Sequence, residues 1–357
     1  MDSANILCVE MLIFSISAVS LTATFRRLIG LCLFLFSLFC GNAFSETQVE
    51  PHLKKGEVLI GAYVNGIHSI DLRAGTVDLD LYIWLRTKGD RNLLDSIEVV
   101  NGSILEKSAI VKKKIGNENY FSMRITAKAF QIFDLRKFPL DKQNLMIVFE
   151  DSEADTSTLQ FVPDENNTKV ADAAELPGWK IGKATISIVS HGYDTNYGDL
   201  SLGGNNSKFS RAAISIPIDR EGVGYFFKLF GTVFLSAFVT FLSFFIRPNN
   251  LDPRFGLGVG GIFAVVASNF VLSSMLPDTN QVTMGEALLL LTISSIFIAL
   301  TESVISLRLW ESGKEEMAIK LDSMAGWIMP IVYLAMCALI LVGYGVTVST
   351  TVVAPTL

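Results

Sequence analysis

The chain has 357 residues, of which 50% are hydrophobic and 18% are charged, and its net charge is −6. This average hides a sharp division. Residues 46–220 have the composition of a soluble domain, whereas residues 221–349 are mostly apolar, with charges confined to short gaps. A single soluble domain would not segregate its charges in this way, and the lack of a basic stripe argues against a nucleic-acid partner. The sequence therefore predicts a membrane protein with a soluble half.

The N-terminal region, residues 1–45, has the features of an export signal. Arg26 and Arg27 precede an apolar run over residues 28–39, and small residues follow it as far as Ser45. A basic start, a short apolar core and small residues predict a secretory signal peptide. The preceding stretch is also apolar but contains Glu10, which leaves open a downstream start or an unusually long signal.

Four later segments are long enough to cross a bilayer as helices, which takes about 20 apolar residues. Basic residues lie in the gap after the first segment and in the gap after the third, but the gap over residues 277–283 has none. Because basic loops stay cytoplasmic, the soluble half and the 277–283 gap are predicted to lie on the opposite side. The predicted membrane domain covers residues 221–357, with spans at 225–246, 255–276, 284–307 and 324–345.

The soluble half shows the period-two alternation that is typical of β-strands. Turns rich in Asn, Gly and Asp, such as Asn101-Gly102, separate the alternating segments. This pattern predicts an all-β, immunoglobulin-like antiparallel sandwich over residues 46–220. The alternating segments lie at 57–64, 76–86, 97–100, 120–126, 144–149, 183–189 and 211–218.

Enzymatic and metal-binding motifs are missing from the sequence. It has no GxSxG motif, no phosphate-binding glycine loop and no CxxC or His/Cys cluster, so we expect neither an enzyme, nor a cofactor, nor a zinc site. The sandwich must fold without disulfides, because the cysteines are Cys8, Cys32, Cys40 and Cys337. An acidic run follows one predicted strand and could bind a cation, although a solvated loop is the preferred interpretation; its members are Glu150, Asp151, Glu153 and Asp155.

One motif is specific. The sequence Phe-Pro-Leu-Asp-Lys-Gln at 138–143 follows Phe-Asp-Leu at 133–135 and resembles the FPFDxQ signature of the pentameric ligand-gated (Cys-loop) ion channels. In animal members two cysteines close this loop; the matching residues here are Gln131 and Leu145, so the chain resembles the disulfide-free bacterial branch. Arg220 before Tyr225, the 254–258 segment and Leu276-Pro277 match later landmarks of the family in the right order. The resemblance covers residues 57–345 and implies a β-sandwich followed by a four-helix pore domain.

The second predicted span carries a stripe at helical spacing. Its members recur every three or four residues and share one helical face; they are Asp252, Gly256, Gly260, Phe263, Ala267, Phe270 and Ser274. The spacing alone fits a packing face as well as a pore face. The resemblance implies the pore, with Asp252 as a ring that favours cations, Phe263 and Phe270 as apolar rings that can close by dewetting, and Arg254 turned away from the ions.

The resemblance also implies a gating interface between sandwich and membrane. The 131–145 loop, with Phe138 and Pro139, is expected to press on the linker that begins at Pro277. Asp141 and Arg220 are expected to be partly buried charge partners there, the alternative being two independent surface charges.

The ligand is expected between neighbouring sandwiches. On one side we expect Glu153 and the 190–208 loop, with Tyr193 and Tyr197, although a tyrosine in such a loop is often only a turn or lid residue. Across the interface, Tyr82, Trp84 or Arg86 is expected to face them. Aromatic rings around a cleft suit a cation or an amine.

Together these features predict a homopentameric ligand-gated cation channel. It would lie in the lipid bilayer of a bacterial inner membrane as a multi-pass protein, with its sandwich in the periplasm, a small-molecule or ion agonist and permeant cations as partners. A non-conducting membrane sensor of the same fold and an anion-selective channel remain as alternatives. A secondary transporter is disfavoured, because Glu302 is the only candidate for an ionisable site inside a span.

Overall fold

The computed structural model describes residues 53–195, 208–221 and 223–346. The predicted signal peptide lies outside these residues. The described part consists of a β-sandwich followed by four long helices, so the predicted fold class is confirmed.

The sandwich has two sheets. The first sheet has the strand order β4-β5-β2-β1-β7, with β8 also paired to β1, and the second has the order β10-β11-β6-β3, with β9 also paired to β11. The first-sheet strands are β1 (Glu57–Asp71), β2 (Thr76–Thr87), β4 (Gly102–Ile115), β5 (Glu118–Phe130), β7 (Gln160–Pro163) and β8 (Lys169–Val170). The second-sheet strands are β3 (Ile97–Val99), β6 (Lys142–Asp151), β9 (Trp179–Ile181), β10 (Thr185–Gly192) and β11 (Lys208–Arg220).

Alternation in the sequence produces the core between the sheets. Every second residue of β2 from Val77 to Leu85 is buried, and so is every second residue of β11 from Ala212 to Ile218. The residues between them face outward, because successive side chains of a strand point to opposite faces. These two strands lie near the middle of their sheets, which is why their pattern was predictable from the sequence.

Strand β4 was not predicted. It pairs only with β5 along its length and forms the edge of the first sheet. Its residues from Leu105 to Ile115 are all exposed. A strand that is exposed on both faces has no reason to alternate, so its sequence gives no periodic signal.

The helices are α1 (Val223–Phe241), α2 (Leu251–Met275), α3 (Met284–Glu311) and α4 (Glu315–Val346), and a short 3₁₀ helix over Leu242–Phe245 extends α1. All four are long and apolar enough to span a membrane. The α4 helix starts earlier than the predicted span at 324, because its first turns carry Glu315 and Glu316 and continue the helix beyond the apolar stretch. A capping box between Thr283 and Glu286 fixes the start of α3.

A loop of the sandwich belongs to the core of the helices. Leu135 and Phe138, between β5 and β6, are buried in the same apolar cluster as Phe230 of α1 and Leu288 of α3. Burial of this loop joins the two parts of the molecule through side-chain packing.

Candidate pore helix, coupling junction and ligand face

The predicted stripe of α2 points away from the other helices of its own chain. All seven of its residues are exposed, and Phe263 and Phe270 are 69% and 77% exposed. The opposite face of α2 is buried; it includes Arg254, Gly258, Gly261, Val265 and Leu272. Large aromatic side chains that stay uncovered on a membrane helix are available to lipid, to a neighbouring chain or to an enclosed space.

The glycines of α2 fall into two groups. A Cβ added at Gly258 would lie 2.4 Å from the Leu300 side chain, and one at Gly261 would lie 2.5 Å from Oγ1 of Thr240. At Gly256 and Gly260 an added Cβ would meet nothing within 4 Å among the described residues. Within the chain, close helix packing therefore depends on Gly258 and Gly261, and the stripe glycines do not contribute to it.

Asp252 and Arg254 face opposite ways at the start of α2. Asp252 is exposed, whereas Arg254 is fully buried. The Arg254 guanidinium donates to the carbonyl oxygen of Ile246, with 3.1 Å from Nε, and to both carboxylate oxygens of Asp322 on α4, with 3.1 Å from Nη1 to Oδ1. The sequence does not predict Asp322 as the partner of Arg254, because the two residues are 68 positions apart and no motif links them.

Two glutamine amides close the loop between β5 and β6. The Gln131 side chain donates to the carbonyl oxygen of Met146 and accepts from the Met146 N–H at 3.3 Å. The Gln143 side chain accepts from Asp134 N–H at 3.1 Å and donates to the Asp134 carbonyl at 2.8 Å. These hydrogen bonds hold the base and the middle of a loop whose residues include no cysteine.

Arg220 and Asp141 form a buried ion pair at the coupling junction. Arg220 Nε lies 2.7 Å from Asp141 Oδ1, and the two side chains are 9% and 1% exposed. Gln143 donates to the other Asp141 oxygen at 2.8 Å. Three rings surround the guanidinium, at 4.0 Å for Trp179, 5.1 Å for Phe138 and 5.2 Å for Tyr225.

The same loop is hydrogen-bonded to the start of α3. The Met284 N–H donates to the Arg136 carbonyl at 2.9 Å, and the Gly285 N–H donates to the Phe138 carbonyl at 3.2 Å. The loop therefore binds the residues just after the predicted linker, while Pro277 lies half-buried at the end of α2. Pro139, which follows Phe138 through a cis peptide bond, is buried.

A second contact joins the sandwich to α2. Arg73, in the turn between β1 and β2, donates to the carbonyl oxygen of Ser274 at 3.5 Å. Sequence reasoning missed Arg73 because an arginine in a surface turn is common and carries no positional signal.

A polar cluster lies on the outward face of the second sheet. Glu150 is 3% exposed and accepts from Arg211 Nε at 2.6 Å and from the Tyr193 hydroxyl at 2.7 Å. Burial and the Glu150 charge raise the pKa of Tyr193 to about 12. Glu98 is the exposed cross-strand neighbour of Glu150. Partial burial of its carboxyl group, followed by the charges of Glu150 and Asp151, raises the pKa of Glu98.

Tyr193 stands over this cluster among aromatic rings. Its ring centroid lies 4.8 Å from that of His191 and 5.5 Å from that of Phe209, both edge to face. The other predicted tyrosine, Tyr197, lies outside the described residues. The exposed side chain of Glu153 lies 3.1 Å from Arg91, which also pairs with the buried Asp151.

The predicted residues of the opposite side lie on the first sheet. The Trp84 indole N–H donates to Asp164 at 2.9 Å, and its ring lies over Gly61, where an added Cβ would approach it to 2.4 Å. Arg86 pairs with Glu118 at 2.9 Å. Both side chains thus have structural partners, and their contact with a ligand stays a prediction.

Another aromatic pair lies on the same face as Trp84. Tyr63, which is 38% exposed, is the cross-strand partner of Tyr82. Beside them Arg124 forms two hydrogen bonds to Asp80, at 2.9 and 2.6 Å, and holds the pKa of that carboxyl below its usual value. The first sheet therefore offers an aromatic surface next to a neutralised ion pair.

Comparison with known proteins gives the same family as the motifs. The chain is 20% identical over 298 residues to an acetylcholine-gated chloride channel subunit acc-2 of Caenorhabditis elegans, covering 75% of this chain and 64% of that one. It is 24% identical over 200 residues to a gamma-aminobutyric acid receptor subunit beta-like of Drosophila melanogaster, covering 56% and 38%. No family model matches the chain.

The chain is a homologue of the Cys-loop ligand-gated channel subunits. A third relative, the gamma-aminobutyric acid receptor subunit beta-4 of Gallus gallus, is 25% identical over 185 residues, which is 51% of this chain and 36% of that subunit. The chain spans under two thirds of the length of these relatives. The relatives are channel subunits rather than enzymes, and with its four spanning helices this Cys-loop homologue is a multi-pass membrane protein.

Proposed function

We propose that this Cys-loop homologue is one subunit of a homopentameric, ligand-gated, cation-selective channel. The observation that carries the proposal is the exposed stripe of α2, whose inner end is Asp252. Five copies arranged around an axis would bury this face against a common lumen. The exposed residues of the stripe would then line the pore.

The stripe suits a gated cation pathway. Rings of Asp252 would concentrate cations at one mouth, and Ser274 would give the other mouth a polar lining. Between them, rings of Phe263 and Phe270 would empty of water when the pore narrows, which stops ions without physical occlusion. Gly256 and Gly260, which add no side chain, would leave the pore widest near Asp252.

The coupling path follows the contacts at the junction. The loop that carries Phe138 is buried among the helices and bonded to the start of α3, and Arg73 touches the outer end of α2. A rotation of the sandwich would therefore move both helix ends. The Arg220–Asp141 pair, held among three rings, would keep the second sheet and α1 moving as one body.

The ligand site of the proposal lies between the outward face of the second sheet and the first sheet of the next subunit. Glu98 gives the first surface an exposed negative charge beside Tyr193, and Tyr63 and Tyr82 give the second an aromatic surface. A small amine or an inorganic cation would bind both surfaces, because its charge is attracted by the carboxylate of one and by the ring faces of the other. Glu153, Trp84 and Arg86 would border this cleft.

The proposed location is a bacterial inner membrane, with the sandwich in the periplasm. The support is the distribution of basic residues, since Arg247 and the segment from Arg308 to Lys320 lie at the ends of helices away from the sandwich. The domain boundaries remain those proposed from the sequence: 1–45, 46–220 and 221–357.

An anion-selective channel is the second candidate. The observation in its favour is the similarity to an acetylcholine-gated chloride channel subunit. Asp252 at the pore mouth opposes it, because a ring of carboxylates repels anions.

Voltage-clamp recording of the purified protein in planar bilayers tests the proposal. The sandwich side receives steps of pH and small amines in a potassium chloride gradient, and we expect gated currents that are absent from empty bilayers. A reversal potential at the chloride equilibrium would favour the anion channel. Phe263→Ala and Phe263→Ser remove the apolar ring and should loosen the gate. If neither variant conducts any current, that result would contradict a channel and favour a non-conducting sensor.

A further inference from the structure

Arg254 poses an electrostatic problem for the proposed cation pore. It follows Asp252 by two residues on α2, so each subunit brings one positive and one negative charge to the same mouth. If both acted on the ions equally, a ring of guanidinium groups would cancel a ring of carboxylates. Cation selectivity at this mouth therefore requires that the charge of Arg254 be neutralised.

The neutralising group comes from a helix that does not carry the stripe. Asp322 belongs to α4, is 4% exposed and accepts from both terminal nitrogens of Arg254. The Ile246 carbonyl accepts from Nε and from Nη2 of the same guanidinium. A fork-to-carboxylate pair of this kind fixes the direction of the guanidinium as well as its charge.

A second carboxylate adjoins the pair. Glu302 of α3 interacts electrostatically with both Arg254 and Asp322. Among the described residues, both of its carboxylate oxygens are buried and accept no hydrogen bond. Arg254 thus has one carboxylate in direct contact and a second acidic side chain nearby, and removing the contacting carboxylate would leave the guanidinium as an unpaired buried charge.

We propose that Asp322, with Glu302 behind it, determines ion selectivity at a distance by holding the charge of Arg254 inside the helix bundle. Asp322 is a positioning residue in this account, since it touches Arg254 and not the ions, and Glu302 acts only through this pair. The inference rests on the proposed function, because it assigns roles within a cation pore. It makes the outermost helix, α4, part of the selectivity mechanism.

The test compares permeability ratios, cation over anion, from reversal potentials in a potassium chloride gradient. In Asp322→Asn/Glu302→Gln, Arg254 keeps its charge but loses both acidic partners. We expect the ratio to fall by about tenfold or more, because an uncompensated positive ring then acts on the same mouth as Asp252. The matched control is Glu315→Gln/Glu316→Gln, which removes two exposed charges from the first turn of the same helix and should leave the ratio within about twofold.

A third variant identifies Arg254 as the cause. Adding Arg254→Gln to the double variant removes the positive charge together with its partners, so the ratio should return to within about twofold of the wild type. An unchanged ratio in a conducting double variant would overturn the inference, and so would a low ratio that persists in the triple variant. If the double variant does not assemble, Asp322→Asn with Glu302 left in place takes its part: the inference predicts a lowered ratio, and an unchanged ratio overturns it.

Failure of the proposed function has a different signature. A wild-type channel that prefers anions, or whose ratio does not respond to Asp252→Asn, contradicts the cation pore itself. A wild-type channel that prefers cations through Asp252 but ignores Asp322 and Glu302 contradicts only the inference.

Discussion

Two arginine–aspartate pairs are buried among the described residues, one at the junction of sandwich and helices and one at the far end of the helix bundle. At the junction, Arg220 is enclosed by aromatic rings, and both oxygens of Asp141 are hydrogen-bonded. In the bundle, Arg254 has a backbone carbonyl and Asp322 as partners, while Glu302 adds a carboxylate without a donor.

The difference shows that two pairs of the same residue types can have different roles. The junction pair is balanced in charge and satisfied in hydrogen bonds, as a mechanical connection between two bodies should be. The bundle pair has a second buried acidic side chain beside it, Glu302, whose oxygens have no hydrogen-bond partner among the described residues, so this site is less completely satisfied than the junction. The junction should therefore respond to mutation mainly in stability and coupling, and the bundle mainly in selectivity.

The largest effect is expected at the junction. Arg220→Ala leaves Asp141 as a buried carboxylate without its cation, which should destabilise the protein by about 3–5 kcal/mol. Thermal unfolding of the detergent-solubilised protein measures the loss. Arg220→Lys should recover only part of it, because an ammonium lacks the planar fork that both binds Asp141 and stacks on Trp179.

The control for this effect is the neighbouring exposed pair. Arg136 lies on the same loop and pairs with Asp134 at 2.5 Å, with both side chains more than two fifths exposed. Arg136→Ala should change stability by about 1 kcal/mol or less. A loss at Arg136 as large as the loss at Arg220 would contradict the distinction between buried and exposed pairs.

The next effect is expected at the pore mouth. Asp252→Asn should lower the cation-over-anion permeability ratio by about tenfold while leaving the thermal midpoint nearly unchanged, since Asp252 is exposed. Reversal potentials give the ratio. Glu311→Gln, which removes an exposed charge from the end of α3, should not alter it.

A smaller effect is expected at Gln131, which closes the loop between β5 and β6. Gln131→Ala removes two hydrogen bonds to Met146 and should cost about 1–2 kcal/mol of stability. Gln160→Ala, an exposed position in β7, should cost less than about 0.5 kcal/mol. Equal thermal midpoints for the two variants would show that packing of Phe138, and not Gln131, holds the loop closed.

The smallest effect is a dependence on pH at the proposed ligand face. The pKa of Glu98 is raised in the folded protein by burial and by Glu150 and Asp151, so the folded state binds this proton more tightly than the unfolded chain does. The contribution of Glu98 to stability should therefore grow as pH falls through the raised pKa and level off below the ordinary pKa of a glutamate. In Glu98→Gln, this rise in stability with falling pH should be absent from a plot of thermal midpoint against pH.

A residue with the opposite shift provides the control. Hydrogen bonds from Ser157 and Thr158 lower the pKa of Asp155, so its contribution is present above the ordinary aspartate pKa and is lost as pH falls. The thermal midpoint of the wild type should therefore fall, relative to that of Asp155→Asn, as pH is lowered through this range. Slopes of the same sign in the two comparisons would contradict the assignment.

The elements that were predictable from the sequence are those whose burial is periodic. Strand β2 alternates because one of its faces is covered, and the helices are apolar over a bilayer's thickness. Strand β4 was not predictable in this way, because it is exposed on both faces. Periodicity also gave the stripe of α2, but its direction depends on Gly258 and Gly261 packing closely against neighbouring helices, which a single sequence does not mark.

Long-range polar contacts were predictable only where a motif named both partners. The resemblance placed Asp141 and Arg220 together, and the structure pairs them. It gave no sign of Asp322 beside Arg254 or of Arg73 at Ser274, because these partners lie 68 and 201 residues apart and no motif links them. Such contacts depend on the folded arrangement rather than on local spacing.

The direct test of the central claim is the reversal potential of the wild-type protein across a tenfold gradient of potassium chloride. A pore lined by the α2 stripe, with Asp252 at its mouth and Arg254 withdrawn, predicts a value close to the potassium equilibrium potential, about 59 mV from zero. A value of the opposite sign, close to the chloride equilibrium potential, would contradict it.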